Sequence, residues 1–195
     1  MKKNLIIAIR MTLATAVFLG IVYPLVVTGL AQVLFPRAAN GGLVERGGKL
    51  VGSHLLGQPF TSPGYFHSRP SAATSAANPA GYDPTASGGS NYGPTNQALI
   101  SRVSSDVVRL HTENPRAPIP VDLVTASGSG LDPDISPASA EFQIPRVARE
   151  RGMNEQQVRT IVRSHTNGRQ LGFLGEPRVN VLELNLDLDA VRPMQ

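Results

Sequence analysis

From Met11 to Pro36 the chain reads MTLATAVFLGIVYPLVVTGLAQVLFP, 26 residues without a single charge. A helix needs about 20 apolar residues to cross about 30 Å of hydrocarbon, so this run is long enough to span a bilayer with some tilt. The apolar region of a signal peptide runs only about 7–15 residues, and the run exceeds that. Pro24 would break a helix in water, but in a membrane neighbouring groups can re-satisfy the carbonyl it frees. The chain is therefore expected to carry a cytoplasmic tail over 1–10, a spanning helix over 11–36, a short tether over 37–49 and one domain over 50–195.

Charge supports this division. No Asp or Glu precedes Glu45, whereas Lys2, Lys3, Arg10 and Arg37 all lie in that stretch. From Glu45 onward 14 Lys and Arg face 14 Asp and Glu, so the high pI belongs to the N-terminal segment and no nucleic-acid partner is expected. Lys2, Lys3 and Arg10 crowd within ten residues, which favours an N-terminus retained in the cytoplasm and a domain outside it. Thr12, Ala16, Gly20, Pro24 and Thr28 recur every four residues, a stripe of small side chains that lets helices approach closely in lipid. One helix cannot enclose a pore, so any transport function requires partner subunits.

Beyond the span the pattern is mixed α+β, with no internal repeat and no βαβ series. KLVGSHLL and the stretch from Gln58 to Phe66 are expected as strands. Pro70 to Pro94, rich in Ser, Gly, Asn and Pro, is an irregular excursion; its regularly placed aromatics argue that it is ordered. Ile100, Val103, Val107 and Leu110 predict a helix capped by Thr95. A short strand is expected over Asp122 to Ser127. Ser136–Pro137 predicts a helix start, bending or restarting near Pro145 and ending at Gly152. Asn154 predicts the next cap, with Val158, Ile161, Val162 and His165 on one side. The alternation of Leu182, Leu184, Leu186 and Leu188 with polar residues predicts a half-buried strand.

No catalytic template fits. The chain lacks a GxxxxGK[ST] loop, and His54, His67, His111 and His165 have no metal-ligand spacing. Ser129 in SGSG lacks the first Gly of a nucleophile elbow. Asp132 and Asp134 lack the further oxygen ligands of a calcium loop. SGGSNYG has no carbonyl ladder of a potassium filter. With no Cys, there is no disulfide or thiolate metal site.

GSHLLGQPF with YFHSRPSA, then SGGSNYGPTN, PVDLVTASGSGLDPDIS, QIPRVARERG and GEPRVNVLELNLDLD follow one span in order. Together they resemble the C subunits of the bacterial Kdp potassium-transporting ATPase, over nearly the whole chain. Asp134 departs from that family, whose members more often carry His or Asn there. The resemblance implies a non-catalytic inner-membrane subunit of an ATP-driven potassium pump. Its partners would be a channel-like potassium-binding subunit, a phosphorylating ATPase subunit and a small accessory subunit.

It implies further that ATP and potassium act through the complex, with no firmly bound cofactor or metal, the subunit serving as a catalytic chaperone that raises ATP affinity. A nucleotide contact is also implied, with Ser87, Gly88 and Gly89 of SGGSN faintly similar to an ABC-type signature and Gln143 placed against a base. An extracytoplasmic domain argues against direct contact, since ATP is cytosolic. Expected partner contacts are the stripe Thr12, Ala16, Gly20, Pro24 and Thr28, together with Tyr65, Phe66, Arg69 and Asn91, which could equally pin their loop to the domain itself. A membrane-tethered hydrolase or a scaffold unrelated to transport remains the alternative.

Overall fold

A computed structural model describes residues 2–194; Met1 and Gln195, at the outer limits of the expected tail and domain, lie outside the described residues. The chain divides into two compact units, residues 1–43 and 44–195.

The first unit is helical from Lys2 to Leu34, about 50 Å at 1.5 Å per residue, so it begins well before the apolar run. It consists of α1 (Lys2–Val17), a π turn (Phe18–Val22) and α2 (Tyr23–Leu34), followed by one helical turn, α3 (Pro36–Ala39). The π turn answers Pro24. Proline has no N–H and its ring clashes with the carbonyl four residues back. The ladder widens just before it, Tyr23 N–H donating to Phe18 O, and Pro24 enters within the first turn of α2, where no N–H is needed. A four-residue step overshoots an α-helical turn by about 40°; the wider turn returns part of that drift, so the small-residue stripe passes through Gly20 and Pro24 with less rotation. The apolar side chains of this unit are exposed within the chain: Leu13, Phe18, Leu25 and Leu34 are each at least 60% open. A hydrocarbon environment or partner helices would cover them.

The second unit is α+β. β1 (Leu43–Arg46) and β2 (Lys49–Ser53) form a two-stranded sheet, so the interval expected as a tether holds a helical turn and a strand. Residues 54–96 are irregular apart from a single bridge of Leu56 to Ser53 and a 3₁₀ turn at Pro84–Ala86, and no strand forms over Gln58 to Phe66. In place of a regular ladder, backbone groups there are satisfied by scattered backbone partners, such as Gly57 N–H to Leu131 O (2.9 Å) and Asp83 N–H to Ala73 O (2.8 Å), and by side chains. Ser71 Oγ donates to Gly130 O (2.6 Å) and accepts from the amides of Ala73 and Tyr82, while Tyr82 Oη donates to Arg69 O (2.6 Å). Burial pushes the Tyr82 phenol up to about 12. Asp83 accepts from Ser75 Oγ, from Thr85 Oγ1 and N–H and from Asn78 Nδ2, which hold its carboxyl well below the usual carboxylate range.

α4 (Gln97–Glu113) is capped by Asn96, not Thr95: its Oδ1 accepts from Ala98 N–H at 2.8 Å. Of the predicted stripe only Leu110 is buried; Ile100 and Val107 remain exposed. The strand expected over Asp122 to Ser127 is instead a 3₁₀ turn at Val121–Leu123. The Asp122 carboxylate accounts for this. It accepts from Ser136 N–H and Oγ and from Ser139 Oγ, which tucks the segment against the start of the next helix.

β3 (Asp134–Ile135), β4 (Thr166–Asn167) and β5 (Arg178–Asn180) make an antiparallel sheet in the order β3-β5-β4. α5 (Pro137–Arg151) starts on the Ser136 cap, runs unbroken through Pro145 and ends at Gly152, left-handed at φ 59°. α6 (Glu155–Ser164) opens with a capping box between Asn154 and Gln157.

The predicted C-terminal strand is the helix α7 (Val181–Val191). Asn180 Oδ1 caps it by accepting from Glu183 N–H, and Leu residues with no β-branching between 182 and 190 favour the helix. Val181, Leu184 and Leu188 then fall on one face, and all three are buried. They close a core with Phe66, Ile135, Ile144, Val147, Val158, Val162 and Val179.

A hairpin tip between β4 and β5 carries a local cost. Leu171 (φ 53°) and Gly172 (φ 81°) both lie in the left-handed region, which Asn-Gly occupies readily and a branched apolar residue does not. The penalty is roughly 1–2 kcal/mol. Leu171→Asn should therefore raise the melting temperature by about 2–4 °C, read by calorimetry; a decrease would show that Leu171 supports the fold.

Candidate functional site

The segment Ser62 to Pro70 contains three of the residues singled out as partner contacts. Its side chains and backbone are held from beneath by polar residues of α5 and α7. Gln143 is 1% exposed and uses both ends of its amide. Nε2 donates to His67 O (3.1 Å) and Ser139 O (3.3 Å), while Oε1 accepts from His67 N–H (2.8 Å) and Arg146 Nη2 (2.7 Å). Asn185, also 1% exposed, clasps Phe66 by accepting from its N–H (2.9 Å) and donating to its C=O (3.0 Å). Arg146 donates to Tyr65 O (2.8 Å), to Pro63 O and to Glu113 Oε1 (2.8 Å). Arg151 donates to Gly64 O (2.6 Å) and Arg192 O (2.7 Å), and its guanidinium lies 4.8 Å from the centre of the Tyr65 ring.

The loop's own contacts run to its domain. Phe66 is fully buried in the core. Tyr65 packs on Phe60 and donates to Asp189 Oδ2 at 2.9 Å. Burial, reinforced by the Asp189 carboxylate, pushes the Tyr65 phenol up. Asn91 stands apart, exposed and left-handed at φ 53°.

His67 follows from the same packing. Burial, with the Arg146 guanidinium nearby, lowers its pKa below the ordinary 6.5 and keeps the ring neutral. As pH falls, the unfolded chain therefore takes up a proton there before the folded chain does. Stability is therefore full above about pH 6.5 and falls as pH drops toward the folded value. His67→Gln should flatten that part of the pH–stability curve, measured by melting between about pH 7 and 5; an unchanged slope would place it on other groups.

Ser87, Gly88 and Gly89 form a second locus, closed against SGSG. Gly88 N–H (2.8 Å) and Ser87 Oγ (3.1 Å) both donate to Ser129 O. Gly130 needs to be glycine: φ is 69°, and a Cβ there would come within 2.7 Å of Ala73 Cβ and 2.9 Å of Gly88 O. An open cleft of about 430 Å³ borders Ser87, Ser129, Leu55, Arg69 and Asp132. Gln143 borders a different, smaller cleft of about 130 Å³ with His67, Arg109 and Glu113, so the two halves of the implied nucleotide contact line separate clefts.

Arg69 borders both, and a third cleft of about 520 Å³ with Asp134, Glu176 and Arg178. Its Nη1 pairs with Asp132 at 2.8 Å, while its buried Nε has no hydrogen-bond partner. Burial raises the Asp134 carboxyl, against the pull of Arg178 at 3.0 Å. Among the described residues no cluster of three or more His, Asp or Glu could hold a metal ion.

Sequence reasoning missed Arg146, Arg151 and Asn185. The i,i+3 pair Gln143–Arg146 among apolar neighbours was the available signal, and only the fold reveals which backbone groups these side chains reach.

The sequence profile described as "KdpC: K+-transporting ATPase, c chain" matches residues 5–190. A potassium-transporting ATPase KdpC subunit of Koribacter versatilis (strain Ellin345) is 61% identical over 194 residues, covering 100% of this chain and 98% of the relative. Those of Rhodopseudomonas palustris (strain BisB18) and Methylobacterium nodulans are 54% and 55% identical. They cover 98% and 97% of this chain, and 100% and 96% of the relatives.

Proposed function

Since the chain belongs to the KdpC family, the c chain of the K+-transporting ATPase, we propose that it is the non-catalytic, single-pass accessory subunit of an ATP-driven potassium uptake pump. It assembles with the channel-like and phosphorylating subunits and the small accessory subunit, its N-terminus cytoplasmic and its domain extracytoplasmic. There it raises the ATP affinity of the phosphorylating subunit as a catalytic chaperone. The observation that carries this reading is the match along almost the whole chain, membrane helix included.

The effect on ATP is indirect. Cytosolic nucleotide and an extracytoplasmic domain cannot touch, so the influence is a coupling free energy relayed through packed helices. Two features support this. Gln143 is hydrogen-bonded within the domain to His67, Ser139 and Arg146, and Ser87 and Gly88 donate to Ser129. The stripe Thr12, Ala16, Gly20, Pro24 and Thr28 offers a close-packing face in lipid, and a Cβ added at Gly20 would meet nothing within the chain.

Topology is the first test. Ser101→Cys and Asn4→Cys each introduce the sole thiol of a Cys-free chain, at positions exposed in the structure. An impermeant thiol reagent on intact spheroplasts should label Ser101→Cys alone. Labelling of Asn4→Cys alone would invert the chain and make direct nucleotide contact by SGGSN or Gln143 the better account. The second test is ATP titration of potassium-stimulated hydrolysis by the membrane complex with and without this subunit. The apparent KM for ATP should rise on its omission; an unchanged KM would remove the chaperone role.

A further inference from the structure

Asn-Gly occurs twice in the chain, at Asn40–Gly41 and at Asn167–Gly168. In such a pair the glycine nitrogen can attack the asparagine side-chain amide. Glycine has no side chain to obstruct the approach, and closure of a five-membered ring keeps the two groups at high effective concentration. The fold treats the two pairs differently. Gly41 N–H donates to Ala38 O (3.0 Å). The Asn40 side chain is held at both ends: Nδ2 donates to Pro36 O (2.7 Å) and Gln32 Oε1 (3.2 Å), and Oδ1 accepts from Gln32 Nε2 (3.4 Å). Asn167 and Gly168 are both exposed, and among the described residues neither the Asn167 side chain nor Gly168 N–H has a hydrogen-bond partner. Asn167 is the last residue of the edge strand β4, so Gly168 can turn toward the side chain without its N–H giving up a bond.

We propose that Asn167 is a site of spontaneous deamidation in the folded protein, while Asn40 is spared. Gly168 N loses its proton to solvent and bonds to Asn167 Cγ. The Cγ–Nδ2 bond breaks, and Nδ2 leaves as ammonia. Water then opens the cyclic imide at either carbonyl, giving aspartate or isoaspartate at 167, with no oxidation or reduction. Asn167 pairs with Arg178 across the antiparallel ladder, where facing side chains interact. Arg178 Nε holds Asp134 at 3.0 Å and borders the cleft of about 520 Å³. A carboxylate at 167 competes with Asp134 for that guanidinium, and the isoaspartyl form adds a methylene to the β4 backbone beside it.

The test incubates the full chain in detergent in warm, mildly alkaline buffer, with peptide mapping by mass spectrometry and isoaspartate detected by isoaspartyl methyltransferase. The peptide holding Asn167 should convert to acid at least about tenfold faster than the one holding Asn40. Equal rates, or faster conversion at Asn40, overturn the proposal. In urea the two rates should converge; a difference that persists there would place the selectivity outside the fold and overturn it as well. A Cβ added at Gly168 would meet nothing within 4 Å, so Gly168→Ala should keep the melting temperature while slowing conversion at Asn167 roughly tenfold or more. An unchanged rate in that variant overturns attack by the residue 168 nitrogen.

Discussion

Arg146→Met is expected to destabilise the domain by about 3–5 kcal/mol, the largest effect of any substitution considered. Arg146 is 7% exposed, and its partner Glu113 is 12% exposed. Removing the guanidinium leaves Glu113 in a poorly solvated position, and it strips donors from Tyr65 O, Pro63 O and Gln143 Oε1 at once. A half-satisfied buried network costs more than no network. The double variant Arg146→Met/Glu113→Leu, which removes the stranded charge, should recover part of the loss. Urea unfolding of the full chain in detergent, followed by circular dichroism, measures both. A loss below about 1 kcal/mol for the single variant would mean that water replaces the guanidinium.

Asn185→Leu is expected to cost about 2–5 kcal/mol, although Leu matches the site in size. The amide of Asn185 satisfies both backbone groups of Phe66, and the site is sealed: Asn185 is 1% and Phe66 0% exposed. A leucine would leave one buried N–H and one buried C=O without partners, each worth about 1–3 kcal/mol. Hydrogen exchange gives a local readout alongside the global one. The Phe66 amide should lose protection well before amides of α6, whose cap and ladder are independent of Asn185. Equal loss everywhere would mean that the clasp belongs to a single cooperative unit with α6.

Together these variants ask whether the Ser62 to Pro70 loop is held mainly from below. Its legibility in sequence was partial for the same reason. The dense YFHSRPS pattern marked an ordered loop, yet an irregular segment can be satisfied by its own turns, by distant side chains or by a partner. Composition does not choose among them. Phe66 looked as available to a partner as Tyr65 until the fold buried it. Arg69 is conspicuous by its chemistry, but its position at the junction of three clefts depends on Asp132, 63 residues away.

Elements with strong local chemistry were readable. The α5 start at Ser136–Pro137, its stop at Gly152 and the Asn154 capping box are set by residues within a few positions of one another. Alternation over Leu182 to Leu188 misled, because a period of two read in isolation does not weigh the Asn180 cap or the helix preference of leucine. Around Gln58 to Phe66, β-prone residues had no neighbouring strand to pair with, and no ladder formed.

The sequence by itself determined that one apolar helix precedes one α+β domain, because the length of a charge-free run and the placement of caps are local quantities. The family was equally legible, since ordered motifs survive without coordinates. Only tertiary structure decided that Gln143, Arg146 and Asn185 are buried clasps, that the last segment is a helix and that Leu171 and Phe173 stand exposed on a strained tip. Burial and hydrogen-bond partnership are properties of residues brought together from far apart in the chain, and no local pattern contains them.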